Sequence, residues 1–260
     1  MRDTLLLAAE TAGRVLMEKY ETGVAVSYKG AIDLVTEADL AAEQAIVALL
    51  RARHPHHDIL AEEGDYGARG ADQRWIVDPL DGTTNFAHGF PWFAVSIALE
   101  VRGEITLGAV FNPHNRELFV AEHGRGATLN GRRLRVSTIE TLDRALLATG
   151  FAYDHKISPH NNYGHFQAFQ RQAQAVRRAG VASLDLACVA AGRFDGFWEL
   201  KLKAWDVAAG MLLVTEAGGR VSDYAGVPMP LDRGEILASN GHLHAAMQQV
   251  LSAPAGDDRS

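Results

Sequence analysis

A chain of 260 residues with a net charge of −7 has room for one large domain or two small ones, and it carries no broad basic face that would suit nucleic acid. An apolar share of 47%, a charged share of 22% and 25 glycines fit a compact α/β protein with many tight turns. The single cysteine, Cys188, excludes an internal disulfide, suits a reducing compartment and, set in an apolar run, reads as core.

The chain starts without the apolar run and small-residue cleavage site of a signal peptide. No apolar stretch reaches the ~20 residues of a membrane span, so a cytoplasmic protein is expected. Leu5, Ala9, Ala12, Leu16 and Tyr20 recur at helical spacing and predict a helix to about residue 21. A loop follows over Lys29–Asp33. Thr36 and Asp39 can box the start of a second helix striped by Leu40, Val47 and Leu50, which His54-Pro55 ends. Asp58–Ala61 reads as a short strand leading to Glu62-Glu63, and Tyr66–Gln73 as a Gly-rich loop. Trp75-Ile76-Val77 is a buried strand that stops in Asp78-Pro79-Leu80-Asp81-Gly82-Thr83-Thr84-Asn85. Strands follow at Phe93–Val101 and Ile105–Phe111 around Arg102-Gly103, then at Glu117–Ala121 and, past the Asn130-Gly131 turn, at Leu134–Val136. From about residue 141 the pattern changes. It predicts a strand at Leu146–Ala148, helices at Phe166–Val176 and Leu184–Ala191, and a strand at Phe194–Glu199. A helix from Trp205-Asp206 to Glu216 closes at Gly218-Gly219. Strands at Val221 and Glu235–Ala238, a helix at Leu243–Leu251 and a frayed tail complete the chain. This order fits an α/β protein with alternating helix and sheet layers and a seam near residue 140.

Chemistry gathers around Asp78 and Asp81. Two acids across a proline turn can point into one pocket, where like charges repel unless a cation separates them. The small residues after them can open a helix whose free N–H groups bind an anion. Glu62 and Asp206 also fall at a strand end and a helix start, completing an oxygen-only set of the kind Mg²⁺ prefers. Each acid has a plainer reading when taken alone. Glu62 can be a solvated loop charge, Asp206 a helix-dipole charge and Asp39 a helix cap. His54, His56 and His57 flank a proline at a helix end and read as surface histidines.

These motifs together resemble the inositol monophosphatases, in the magnesium-dependent, lithium-sensitive phosphatase superfamily. The resemblance spans roughly residues 5 to 251 and rests on four stretches: Glu62-Glu63, Asp78-Pro79-Leu80-Asp81-Gly82-Thr83-Thr84-Asn85-Phe86, Trp205-Asp206-Val207-Ala208-Ala209-Gly210 and Glu216-Ala217-Gly218-Gly219. The segment from Lys29 through Asp33-Leu34-Val35-Thr36 to Asp39 matches as well.

The resemblance implies a five-layer αβαβα sandwich. Residues 1–252 would form one unit, with helices and an antiparallel sheet in 1–140, an α/β lobe in 141–252 and a disordered tail at 253–260. It implies two to three Mg²⁺ ions held by Glu62, Asp78, the Leu80 carbonyl, Asp81 and Asp206. Gly82 and Thr83 would offer N–H groups to the phosphate, and Asp39 with Thr83 would orient the attacking water. Gly180, Ala182, Glu199 and Asp206 would meet the substrate. The implied reaction is hydrolysis of a small polyol phosphate, myo-inositol 1-phosphate first, by in-line attack of a metal-activated water. Fructose 1,6-bisphosphate, histidinol phosphate and NADP are alternative substrates, and Lys201 and Lys203 after Glu199 could favour a second anionic group. A homodimer is also implied. Some bacterial relatives contact the transcription machinery, so an added protein-binding role in antitermination stands beside the enzymatic one.

Overall fold

The computed structural model describes residues 1–22, 26–28, 34–64, 66–67, 70–231 and 233–252. Helix α1 (Arg2–Thr22) is followed by a small antiparallel ribbon of β1 (Val26–Tyr28) and β2 (Leu34–Thr36), then by α2 (Glu37–Arg53). The two helices bury Leu5, Ala12 and Leu16 against Ala42, Ile46 and Leu50. The expected Lys29–Asp33 loop, the Thr36 side-chain cap and the tail from Ala253 to Ser260 lie outside the described residues.

The first sheet has seven strands in chain order: β3 (Asp58–Ala61), β4 (Gln73–Asp81), β5 (Ala94–Val101), β6 (Glu104–Asn112), β7 (Glu117–Glu122), β8 (Gly126–Leu129) and β9 (Arg132–Arg133). Between β4 and β5 a single-turn helix, α3 (Thr83–Ala87), projects from the sheet edge. Within this sheet β3 and β4 run parallel and the remaining neighbours antiparallel. The predicted turns at Arg102-Gly103 and Asn130-Gly131 have positive φ at both residues (53° and 85°, 48° and 80°), the geometry that suits the twist of a two-residue hairpin. The expected strand at Leu134–Val136 is corrected: the ladder ends at Arg133 with one further bond from the Leu134 N–H to the Ala127 carbonyl at 2.8 Å, and Val136 gives its N–H to Ala217 instead. The chain is leaving for the second sheet there.

Side-chain alternation gives the first sheet two faces. Trp75, Val77, Val95, Ile97 and Ala109 join the α1–α2 core, while Ile76, Ala98, Val110 and Phe119 point the other way. That second face packs on α5 (Ala182–Ala190) and α6 (Ala204–Glu216). Beyond these helices lies a five-stranded sheet in the order β11-β10-β12-β14-β13, formed by β10 (Leu146–Thr149), β11 (Ala175–Arg177), β12 (Gly196–Leu200), β13 (Arg220–Ser222) and β14 (Glu235–Ser239). Its outer face carries Leu147, Trp198 and Leu237 against α4 (Tyr163–Gln172) and α7 (His244–Ser252). The layers are helix, sheet, helix, sheet, helix, as expected. The helix expected over Phe166–Val176 ends early: Ala173 makes the last helical bond to Phe169, and Ala175–Arg177 pair in parallel with β10. A vacant sheet edge outranks the helical spacing there. Helix α6 seats closely because residue 108 lacks a side chain; a Cβ there would stand 3.0 Å from the Ala209 Cα. Among the described residues no helix is long and apolar enough to cross a membrane.

Candidate active site

The parallel register of β3 and β4 pairs Ala61 with Val77, so the next residues along, Glu62 and Asp78, emerge side by side. Val77 points to the α1–α2 core, so alternation turns Asp78 toward the α5–α6 layer. Pro79 cannot donate to the ladder, and the pairing with β5 shifts between Asp78 and Asp81. That irregularity brings the second acid to the same side. Asp81 then receives the N–H of Ser183 at 2.7 Å, so it caps α5 from a strand 102 positions away. Asp206, in the first turn of α6, takes the Lys203 N–H at 2.6 Å. The dipole-cap reading of Asp206 therefore holds together with its place in the cavity.

Glu62, Asp78, Leu80, Asp81, Gly82, Thr83, Gly180, Ala182, Glu199 and Asp206 all line one cavity of about 270 Å³. Asp39 lies just behind it. It is fully buried in the first turn of α2 and its Oδ1 accepts the Thr83 hydroxyl at 3.1 Å, which places it against the site. The same hydroxyl is 3.1 Å from the Leu80 carbonyl oxygen. Gly82 has φ 95°, and a Cβ there would come 2.7 Å from Val181 Cγ2, so the turn into Thr83 requires glycine. Gly180 also has positive φ, at 78°. Asn85 fastens the two sides together, donating to the Trp92 carbonyl at 2.8 Å and the Ala179 carbonyl at 2.9 Å.

The electrostatics are those of crowded acids. Burial, then repulsion from Glu62, Asp81 and Asp206, holds Asp78 well above the usual carboxylate range. The Leu80 N–H donates to Asp78 Oδ1 at 3.0 Å, and proximity to the Glu62 carboxyl adds to the upward push. Burial raises Asp81 to about 6, with the N–H groups of Ser183 and Ala182 pulling the other way. Burial and Asp81 raise Asp206 to about 7. Glu199, 8% exposed, is raised well above its ordinary value by burial and by Asp206 and Asp81, while Arg178 opposes the shift. Its carboxylate occupies the space that a side chain on residue 150 would fill.

Among the described residues no three His, Cys, Asp or Glu side chains close into a ready-made ligand cage. An open set of oxygen donors still suits Mg²⁺, which keeps several waters and takes substrate oxygens to complete its octahedron. The mutual repulsion of Asp78, Glu62, Asp81 and Asp206 marks where positive charge is wanted. Of the histidines read as surface residues, His56 is exposed, while His54 and His57 are half-buried: His54 meets Thr4 Oγ1 at 3.0 Å, and His57 accepts the Trp75 indole N–H at 3.1 Å.

Sequence reasoning gave no role to Arg178, Phe151 and Tyr153, which line the cavity, or to Asp185. Asp185 is 1% exposed, and neither of its carboxylate oxygens has a hydrogen-bond partner among the described residues. An acid inside the otherwise apolar Leu184–Ala190 run was the available signal.

Acids that repel one another call for cations, and cations beside a glycine-led helix start draw a phosphate. The class so defined is the phosphoric monoester hydrolases that work with metal ions. The chain belongs to the inositol monophosphatase family, whose sequence model matches residues 1–253. It is 51% identical to a Pseudomonas aeruginosa protein named Nus factor SuhB over 95% of this chain and 94% of that one. It is 50% identical to a Synechocystis inositol-1-monophosphatase, covering 85% and 77% of the two chains. The solved inositol monophosphatase of Anabaena (Nostoc) superposes with a TM-score of 0.89 at 42% identity, covering 98% and 96%. The resemblance read from the motifs and the layered α/β fold are both borne out.

Proposed function

We propose that the protein is a Mg²⁺-dependent phosphatase of small polyol monophosphates, with myo-inositol 1-phosphate as its preferred substrate. The observation that carries this reading is a single cavity in which Glu62, Asp78, Asp81 and Asp206 meet Glu199 and Gly180. The first group is an anionic oxygen set for cations, and the second is a polar surface suited to hydroxyls. The inositol-1-monophosphatase named above supports the choice of ester.

Glu62, Asp78, Asp81, Asp206 and the Leu80 carbonyl would hold two to three Mg²⁺ ions, which when bound neutralise the phosphate and acidify water. The chain's own groups position the rest. The turn at Gly82-Thr83 offers helix-start N–H groups to phosphate oxygens. Thr83 has one hydroxyl proton to donate, and donating it in a hydrogen bond to Asp39 leaves an oxygen lone pair free to accept a hydrogen bond from the attacking water and so orient it. Glu199, seated over Gly150, accepts hydrogen bonds from the leaving polyol. A homodimer and lithium sensitivity belong to the same proposal.

The test is a substrate panel of myo-inositol 1-phosphate, fructose 1,6-bisphosphate, histidinol phosphate and NADP, each assayed with Mg²⁺ and with chelator. Inositol 1-phosphate should give the highest kcat/KM, with turnover abolished by chelation. Metal-independent turnover, or a clear preference for another ester, would overturn the assignment. An added transcription role is a second reading, favoured by the Nus-factor names of relatives at 51% and 45% identity. It predicts that purified RNA polymerase, alone or with antitermination factors, binds the protein even after Asp78→Asn. Absence of binding in size-exclusion and fluorescence titrations would remove it.

A further inference from the structure

Lys201 adopts a backbone conformation that favours glycine. Its φ is 64°, in the left-handed region where a Cβ crowds the neighbouring carbonyl. It follows the last residue of β12, two positions beyond Glu199, and lines the same cavity. Strain of this kind persists only where the surroundings over-determine the residue. Here the side chain supplies the hold. Lys201 Nζ donates to Asp154 Oδ1 at 2.9 Å, to Asp154 Oδ2 at 2.7 Å and to Ser158 Oγ at 2.8 Å. An ammonium has three protons to donate, and these contacts are enough to engage all of them.

Asp154 and Ser158 belong to one tight turn. The N–H groups of Ile157 and Ser158 both reach the Asp154 carbonyl, at 3.0 and 2.9 Å, and His155 reaches Ala152 at 3.0 Å. The residues leading into the turn, Phe151 to Tyr153, line the cavity as well. The turn is therefore built to present a carboxylate and a hydroxyl to this one amine. The other cations lining the cavity are placed differently. Arg178 lies in the field of Glu199 and Asp185, and Lys203 offers its backbone N–H to Asp206.

The adjacency of Lys201 and Lys203 to Glu199 in sequence suggests a receptor for a second anionic group, and the structure points the other way for Lys201. We propose that Lys201 is a specificity-determining residue. Its charge is held by Asp154 and withheld from the leaving-group end of the cavity, which keeps the site selective for monophosphates of neutral polyols over bisphosphates. The inference rests on the phosphatase reading and deepens it by naming the residues that hold the site to that substrate class.

The test compares wild type, Asp154→Asn, Lys201→Gly and the double variant in Mg²⁺. The substrates are myo-inositol 1-phosphate, fructose 1,6-bisphosphate and p-nitrophenyl phosphate. Asp154→Asn keeps the shape of the turn but leaves an uncompensated ammonium beside the leaving group. The kcat/KM ratio of bisphosphate to inositol phosphate should rise by about tenfold, the worth of one charge-assisted hydrogen bond. The rise should appear mainly in KM, with aryl phosphate turnover held within about threefold. The double variant has no amine to release and should return to the wild-type ratio, whereas Lys201→Gly alone leaves Asp154 as an unpaired carboxylate and should lower the ratio. If Asp154→Asn does not fold, Ser158→Ala removes one acceptor and should move the ratio the same way by a smaller factor. An unmoved ratio in folded Asp154→Asn, or a rise that survives in the double variant, overturns the inference while leaving the phosphatase reading intact. Wild type inactive on all three esters overturns both.

Discussion

Asp78→Asn should stabilise the metal-free protein and disable it at once. The side chain is 1% exposed and its carboxyl sits among Glu62, Asp81 and Asp206, so burial and three like charges oppose its ionisation. Asparagine is nearly isosteric, and its Oδ1 can keep the 3.0 Å bond from the Leu80 N–H. The substitution removes a repelled charge and leaves the turn in place. Each pKa unit of such repulsion is worth about 1.4 kcal/mol. Allowing for relaxation, relief on the order of 1–3 kcal/mol is expected near neutral pH. For a chain of this size that corresponds to a rise in Tm of roughly 2–10 °C in chelator. Mg²⁺ should reverse the order. Wild type gains stability in proportion to RT ln(1 + [Mg²⁺]/Kd), whereas a variant with a weakened site gains less. Differential scanning calorimetry with chelator and with Mg²⁺, beside steady-state kinetics, reads both arms. Turnover should fall by ~10³-fold or more, the scale of lost metal-based charge stabilisation. A lower Tm in chelator, or kcat within about tenfold of wild type at saturating Mg²⁺, would refute the reasoning.

The pH dependence of the metal-free protein should carry the same signature. Asp81 at about 6 and Asp206 at about 7 lie above the unfolded value of 3.8, so the folded state binds more protons than the unfolded one between these limits. Stability in chelator should therefore fall as pH rises from about 4.5 to 7.5, and Mg²⁺ should flatten that slope; a metal-free curve that rises across the window would contradict it. Asp39→Asn and Thr83→Val should each lower kcat by ~10²-fold, and the double variant should cost little more because the pair acts as one unit. Asp39→Asn with near-wild-type kcat would return Asp39 to a structural role. Glu199→Gln should reduce kcat/KM for inositol 1-phosphate by about tenfold or more while sparing p-nitrophenyl phosphate, and an equal loss on both would place Glu199 with the metal acids or the fold.

Much of the site was legible because its residues lie where local chemistry is loud. A proline between two acids, a glycine before two threonines and a Trp-Asp pair opening a helix each imply a backbone event as well as a functional group. The parallel pairing of β3 and β4 then sets Glu62 beside Asp78 with no further signal needed. What the sequence hid were long-range exchanges. Nothing near Asp81 announces that its carboxylate caps α5, because the partner N–H belongs to Ser183 across the layer boundary. Ala175 and Val176 looked helical because the three-residue edge strand they open is too short to show its own period, and its identity comes from β10 alone. Lys201 showed its charge in the sequence but not its engagement, since Asp154 and Ser158 precede it by more than forty positions.

On the proposed reading of Asp206 as a Mg²⁺ ligand, the close seating of α6 on the first sheet would make residue 108 a gauge for the choice of cation. A methyl group at that position would force Ala209 away by a few tenths of an ångström, and Asp206 rides on the same rigid helix three residues earlier, about 4.5 Å along its axis. Magnesium accepts oxygens at 2.0–2.1 Å in a near-ideal octahedron, while calcium takes them at 2.3–2.6 Å and tolerates irregularity. A displacement of that size spans the difference between the two ions. Gly108→Ala would thus alter which metal the enzyme prefers without touching any residue that faces it, and isothermal titration with Mg²⁺ and Ca²⁺ would register the exchange as a fall in one affinity with the other held. The discrimination between two abundant cations would then reside in the thickness of a helix–sheet contact, on the side of the strand remote from α1.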